Sequence, residues 1–379
     1  MVEVFGRVLF IYVLISICIV FFDCLFLFNS KQKDRKYQAK REIYKAFVDR
    51  QTALLAQGEP VDEKIQQQLY HDLKHVEQLM FFGDVLKVCK EQQESQVSAY
   101  LVASLELLHA LIRVYQKKES MYQAAFANFL ATCRIKSALI NAFLLACVTD
   151  KSMYKRENAL QALYCLGDAH TIIIAFKRMA HRGMQHNSKL LTDGLLSIIG
   201  EQKLLSELLW ENFSQFALSE QIAIIDYWRF SANAGYTNVL EQLLSAETTE
   251  DELCYTIIRY FGKIHHGPVE KQLLAFLTQP RRNQWEYAAI AAAALKNYAN
   301  GETVVALKQA LRDSNWHVRF NAAESLMALG LLEGELEEIW QGDDPFAKDI
   351  LLYCKQHQQL KQEIGIHYSP KRGEAFGIS

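Results

Sequence analysis

The chain contains few of the residues that make turns. Its 379 residues include 5 prolines and 17 glycines, together about 6%, against about 12% in average proteins. All-β sandwiches and barrels need glycine, asparagine or proline at their hairpins, and disordered chains contain proline and glycine in bulk. The composition therefore disfavours both classes. Hydrophobic residues make up 50% of the chain, enough for two or three domains or for one elongated array of repeats.

Motifs for catalysis and metal binding are also missing. The sequence has no phosphate-binding glycine loop, no nucleophile elbow and no dinucleotide-binding motif. Its 8 cysteines form no Cys-x-x-Cys pair, which favours reduced core residues. His71 and His75 lie four residues apart, but the glutamate and third ligand of a zinc hydrolase motif are absent. We predict no catalytic residue, no metal site, no cofactor and no enzymatic activity.

One long apolar run lies near the N-terminus. Residues 8–28 contain a single charge, at Asp23, and this length of helix matches the ~30 Å hydrocarbon core of a bilayer. We predict a transmembrane anchor over residues 1–30. A cleaved signal peptide is the alternative, although its apolar stretch is shorter and ends in small residues. Asp23 either pairs with a polar group of another membrane helix, as a partner-binding residue, or lies near enough to the interface to reach water.

Basic residues follow the apolar run. They are Lys31, Lys33, Arg35, Lys36, Lys40 and Arg41, opposed only by Asp34. Such a flank favours the cytoplasmic side, so we predict a single-pass membrane protein with its C-terminal domain in the cytoplasm. The first four of these cations are also expected to contact anionic lipid headgroups. Residues 31–60 are predicted to form a basic juxtamembrane helix that ends at Gly58-Glu59-Pro60.

The rest of the chain is acidic. Residues 1–41 carry a net charge of +4 and the whole chain carries −2, which leaves −6 for the remainder. A nucleic-acid-binding surface needs basic residues for phosphate contacts, so we expect no nucleic-acid partner. Arg281 and Arg282 form the tight basic pair of the later sequence, and we predict that they lie in a solvated turn.

Apolar residues recur every three or four positions along the body, which predicts helices. No stretch shows sustained alternation of apolar and polar residues, so we predict no sheet. Residues 61–149 are predicted to be helical throughout. The expected helices are Val61–Lys90, Val97–Tyr115, Tyr122–Cys133 and Ser137–Cys147.

A longer repeat begins at about residue 150. Residues 150–167 and 313–330 share the pattern D-x5-R-x2-A-[LA]-x2-L-x2-L-G. Asp150 and Asp313 open the two copies, and Arg156 and Arg319 follow six residues later. Weaker copies close at 199–200, 234–235, 261–262 and 298–299, so the mean spacing is about 33 residues, which fits two short helices and their turns.

These two segments resemble the HEAT-repeat family, in its short bacterial form related to phycobilisome-lyase-type repeats. The resemblance implies an all-α fold: an α-solenoid of HEAT-like helix pairs over residues 150–362, behind the transmembrane helix, with a tail at 363–379. We expect Asp150 and Asp313 to cap helix N-termini. In the family, arginines such as Arg156 and Arg319 commonly bridge to an acidic residue of the neighbouring repeat. Gly167 and Gly330, which close the two copies, should adopt the left-handed conformation that ends a helix.

The predicted transmembrane helix and α-solenoid favour a non-enzymatic scaffold, because a solenoid gains binding surface with each repeat. We expect a membrane-anchored adaptor that binds a protein partner, for example a membrane-embedded polysaccharide glycosyltransferase. The alternative is a lyase-like HEAT enzyme with a ligand in its concave groove. Trp285, Trp316 and Trp340, with Tyr287 and Phe320, are candidate partner-binding residues if exposed, and core residues if buried between helices.

Overall fold

The computed structural model describes residues 19–22, 26, 37–200, 202–281, 284–331 and 333–363. Most of the predicted membrane span, including Asp23, lies outside these residues, as do Lys31, Lys33, Arg35 and Lys36 and the tail from residue 364. Within the described ranges, every regular element is a helix. A helix covers residues 37–56, and Gly58, with a φ of 78°, lies in the turn that follows it.

The helices of the first half of the chain are α1 (37–56), α2 (Glu63–Leu73), α3 (Val76–Ala103), α4 (Leu105–Tyr115), α5 (Ser120–Cys133), α6 (Ala138–Cys147), α7 (Met153–Leu166), α8 (Ala169–His181) and α9 (Ser188–Leu196). The later helices are α10 (Gln202–Glu211), α11 (Leu218–Phe230), α12 (Thr237–Ser245), α13 (Asp251–Phe261), α14 (Glu270–Thr278), α15 (Trp285–Ala294), α16 (Gly301–Ala310), α17 (Trp316–Ala328), α18 (Glu337–Trp340) and α19 (Pro345–Glu363).

The contacts divide the chain into two units. Unit 1 contains residues up to Met184 together with Ser197–Leu205, and unit 2 contains Gln185–Leu196 and the residues from Ser206 onward. The sequence predicts one boundary within the helical body, near residue 150, where the first full repeat begins. In the structure α5 packs against α7 across that position, so the repeat packing extends into the region where the sequence pattern is weak.

Unit 1 consists of two layers of helices. One layer contains α3, α5 and α7, and the other contains α2, α4, α6 and α8, with contacts between successive members of each layer. Fully buried alanines allow α5 and α7 to approach closely; they are Ala124, Ala127, Ala159 and Ala162. Tyr44 of α1 is also buried, and its hydroxyl donates to Asp72 at 3.1 Å. Helix α1 is therefore joined to the N-terminal end of this stack.

Unit 2 repeats the arrangement. Helices α9, α11, α13, α15, α17 and α19 pack in succession in one layer, and α12, α14 and α16 cover them from the other. Helices α15 and α17 both carry completely buried small side chains, including Ala291, Ala292 and Ala322, and the Ser325 hydroxyl of α17 donates to the Ala292 carbonyl of α15 at 2.7 Å. Each unit is thus a two-layer helix stack of the kind that forms an α-solenoid.

Two predicted helices are broken in the structure. The predicted helix 61–90 is interrupted at Lys74 and His75, and the predicted helix 97–115 is interrupted at Ser104. At the first break, the Tyr115 hydroxyl donates to the Leu73 carbonyl at 2.8 Å, and the Lys118 ammonium donates to the Lys74 carbonyl. The helix can end there without glycine or proline because side chains more than 40 residues away satisfy the freed carbonyls.

No single helix among the described residues is both apolar and long enough to cross a membrane. Helices α3 and α4 are bent by 64° relative to each other. Only when the two are taken together do they have the length and apolar composition of a membrane span.

The closing glycines serve two different purposes. Gly167 and Gly330 have φ values of 63° and 73°, which confirms the predicted left-handed conformation. Gly262 is helical, with a φ of −69°. A Cβ at Gly262 would lie 3.1 Å from Cα of Ala294, so this glycine is needed because α13 and α15 approach closely.

Candidate functional site

The two aspartates of the repeat pattern hold helix starts in place, but they are not the N-cap residues. Asp150 accepts the backbone N–H of Ser152 at 2.9 Å, and Ser152 is the N-cap of α7. Asp313 accepts the N–H of Asn315 at 2.7 Å, and Asn315 is the N-cap of α17. The prediction that the aspartates cap the helices directly is therefore corrected: each orients the residue that does.

The two arginines of the pattern close the loop before their own helix. Nη1 of Arg156 donates to the carbonyl oxygens of Asp150 and Lys151 at 2.9 and 3.1 Å. Arg319 contacts the two corresponding carbonyls, at 2.8 and 3.0 Å. These hydrogen bonds join each arginine to the loop before its own helix; the bridge to an acidic residue of the neighbouring repeat stays a prediction. The six-residue spacing of aspartate and arginine is thus explained by the reach of the guanidinium back to its own loop.

Asp150 also forms an ion pair that Asp313 lacks among the described residues. Its carboxylate lies 2.7 Å from Nζ of Lys155, whose side chain is 8% exposed. Burial raises the pKa of Asp150, but the hydrogen bonds from Lys155, Ser152 and Ser120 and the Lys155 charge outweigh it and leave the pKa below its ordinary value. The carboxylate is therefore held in its charged form, and these four pattern residues have a structural role.

Aromatic side chains of α15 and α17 touch at the N-terminal turns of these helices. The ring of Trp285 stacks on His317, with centroids 5.2 Å apart and an interplanar angle of 16°. The Trp316 ring stacks on Phe320, with centroids 5.0 Å apart, and forms a T-shaped pair with His317, with centroids 5.2 Å apart. We call these four residues, Trp285, Trp316, His317 and Phe320, the aromatic edge. The structure thus brings together two of the three predicted tryptophans.

The aromatic edge is open to solvent. Trp316 is 48% exposed and His317 is exposed, while Trp285 is half-buried and Phe320 is buried beneath them. The aromatic edge continues onto α19, because the ring centroids of Phe320 and Tyr353 lie 6.2 Å apart. Arg319 places its guanidinium carbon 5.4 Å from the ring of Phe346. Exposed aromatic side chains beside an arginine are the composition typical of protein-binding surfaces.

The other two predicted aromatic residues lie elsewhere. Trp340 lines a cleft of about 250 Å³, together with Met327, Leu331, Leu336, Lys355, Gln358 and Gln359. Tyr287 is completely buried, and its hydroxyl donates to Asp251 at 2.7 Å. His317, whose ring joins Trp285 to Trp316, is not among the residues predicted from the sequence. Its position one residue after Trp316, at the start of a helix, is the sequence signal for it.

Arg281 does not lie in a solvated turn. Its Nη2 donates to the Ala246 carbonyl at 2.9 Å, at the C-terminal end of α12, and its Nη1 lies 3.5 Å from Sγ of Cys254. The guanidinium therefore ties the loop before α15 to two earlier helices. Arg282 lies outside the described residues.

The described part of the chain holds no group of three or more metal-binding side chains. His71 and His75 are both exposed. Six cysteines lie in the described part of the chain, and all except Cys165 are buried. Burial raises the pKa of Cys133 to about 12 and that of Cys147 to about 11. These buried thiols are therefore poor nucleophiles at neutral pH.

Comparison with known proteins gives one family match. Residues 269–346 match the HEAT repeats family, and this segment contains α14 to α18 and the repeat copy that begins at Asp313. The match and the two-layer helix stacks support a HEAT-repeat family for this chain. None of the curated proteins compared with it gives a match.

Proposed function

We propose that this protein is a membrane-anchored cytoplasmic scaffold that binds a protein partner through the aromatic edge. HEAT repeats commonly mediate protein–protein interaction. The observation that carries the proposal is the stacking of Trp285 on His317 beside Trp316, which is 48% exposed. Tryptophan side chains held rigid by such stacking cost little conformational entropy on binding and are enriched at the energetic centres of interfaces.

The membrane part of the proposal rests on the sequence. The apolar run at 8–28 and the basic residues that follow it support an anchor whose C-terminal side faces the cytoplasm. A partner within the same membrane, such as a glycosyltransferase, would meet the scaffold at high local concentration. No observation on the described residues favours the lyase-like alternative over a scaffold.

Co-purification from mild detergent tests this proposal. We expect the full chain to recover a stoichiometric membrane partner, and we expect Trp316→Ala to weaken its binding about tenfold, the effect of a residue worth ~1.4 kcal/mol at an interface. The matched control is Val305→Ala on α16, because Val305 is 54% exposed and lies outside the aromatic edge. Recovery of no partner, or equal loss in both variants, would contradict the proposal.

A further inference from the structure

Helix α19 carries an exposed apolar stripe in addition to its buried face. The buried face consists of Ala347, Ile350, Leu351 and Cys354. On a different side, Phe346, Tyr353 and Leu360 recur at seven-residue intervals and are 64%, 52% and 51% exposed. A seven-residue interval keeps side chains on one line along a helix, as in a coiled-coil seam. The stripe therefore has the pattern of a surface that packs against another helix.

Two polar residues interrupt the stripe at symmetrical positions. Asp349, which is exposed, lies four residues before Tyr353, and His357 lies four residues after it. The His357 ring stacks on Tyr353, with centroids 5.9 Å apart and an interplanar angle of 16°. Phe346 and Leu360 each lie seven residues from Tyr353. Read in either direction from Tyr353, the stripe has a polar residue at four and an apolar residue at seven.

We propose that α19 pairs with α19 of a second copy of this chain, antiparallel, with the two-fold axis passing at Tyr353. In this register Phe346 packs against Leu360 of the partner subunit. Asp349 then faces His357 of the partner subunit, whose imidazole N–H can donate to the carboxylate. A two-fold axis forms each of these contacts twice. The proposal goes beyond the scaffold function and does not depend on it.

The charges along α19 favour the antiparallel orientation. Residues 343–349 contain three aspartates and one lysine, whereas residues 355–363 contain two lysines and one glutamate. Antiparallel pairing places the acidic end of one helix beside the basic end of the other and also opposes the two helix dipoles. A parallel pair would bring the two Asp349 carboxylates together. Because one helix pair buries less than the ~1,600 Å² of a standard interface, we expect a reversible dimer.

Cysteine cross-linking of the full chain in its membrane tests the register. We expect a mixture of copies carrying Phe346→Cys and copies carrying Leu360→Cys, with different affinity tags, to form a mixed cross-linked dimer. Each variant alone should cross-link several-fold less. Val305→Cys on α16, at an equally exposed position, and the unmodified chain are the controls. A mixed dimer no more abundant than the control, or a stronger dimer from Phe346→Cys alone, would overturn the proposal.

A charge exchange tests the polar contact. We expect Asp349→Lys to raise the dimer dissociation constant about tenfold, since it places a cation opposite an imidazole and removes the acceptor. The exchange variant D349H/H357D should restore the dimer. Both are measured by sedimentation in detergent, with helical content checked by circular dichroism. The proposal would be overturned if the unmodified chain were a monomer at every concentration. It would also be overturned if D349H/H357D folded but did not restore the dimer.

The two proposals fail separately. Leu360→Glu should abolish the dimer and leave co-purification of the membrane partner intact. Trp285→Ala, which removes the ring stacked on His317 of α17, should weaken binding of the partner and leave the cross-link intact. Loss of the cross-link in Trp285→Ala would contradict the separation of the two surfaces.

Discussion

At the scale of single residues, the repeat pattern consists of residues that hold the loop before a helix in place. Asp150 and Asp313 each orient the N-cap residue two positions later, and Arg156 and Arg319 bind the carbonyls of the same loop. These contacts link residues at most six positions apart. They explain why the spacing of aspartate and arginine is identical in two copies that lie far apart in the sequence.

Asp150 should contribute more to stability than Asp313. We expect Asp150→Asn to lower the free energy of unfolding by about 2 kcal/mol at pH 7, because it leaves Lys155, 8% exposed, without its counter-charge. The pKa of Asp150 is lowered by folding, so its contribution is complete above the ordinary aspartate pKa and is lost as the pH falls through the folded value.

Urea unfolding at pH 7 and near pH 3 checks this expectation. The difference between the unmodified chain and the Asp150→Asn variant should shrink at the lower pH. Asp313→Asn is the matched control, since its carboxylate has the same backbone contact and forms no ion pair in the described part of the chain. Equal losses for the two variants, or a difference independent of pH, would contradict the role given to Lys155.

At the scale of helices, the spacing between neighbours is set by small residues. Completely buried alanines lie on α5 and α7 and on α15 and α17, which pack as neighbouring pairs, and Gly262 lies against Ala294 where α13 meets α15. The helical backbone of Gly262 shows that its role is steric and not conformational. A HEAT-like stack therefore depends on the absence of bulky side chains at these contacts as well as on the side chains that pack there.

Gly262→Ala should be destabilising by about 2 kcal/mol, because the added Cβ would lie 3.1 Å from the Ala294 backbone and the two helices would have to move apart. Gly301→Ala is the control, since its Cβ would meet nothing within 4 Å. Thermal unfolding of both variants distinguishes them. A similar fall in melting temperature for the two would show that the contact between α13 and α15 does not require glycine.

At the scale of the whole chain, the proposed function combines a predicted membrane anchor with a solvent-exposed protein-binding edge. The proposed orientation depends on the basic flank after residue 30, because lysine and arginine near a span are retained on the cytoplasmic side. In this proposal the net negative charge of the remainder of the chain would oppose its contact with an anionic bilayer surface.

Charge reversal of the flank tests this orientation. We expect replacement of Lys31, Lys33, Arg35 and Lys36 by glutamate to reduce or invert the fraction of chains whose C-terminal part faces the cytoplasm. Protease protection in intact cells and in inverted vesicles measures that fraction. The unmodified chain should be digested only from the cytoplasmic side. The orientation proposal fails if the unmodified chain is protected there.

The sequence alone determined the all-α class, the repeat near 33 residues and the left-handed glycines at positions 167 and 330. These features depend on apolar spacing and on backbone conformation, both of which act over a few residues. Tertiary structure decided the break at Lys74, the placement of Arg281 and the grouping of Trp285 with Trp316 but not Trp340. Each depends on a contact between residues about 30 or more positions apart, whose partners no local pattern identifies.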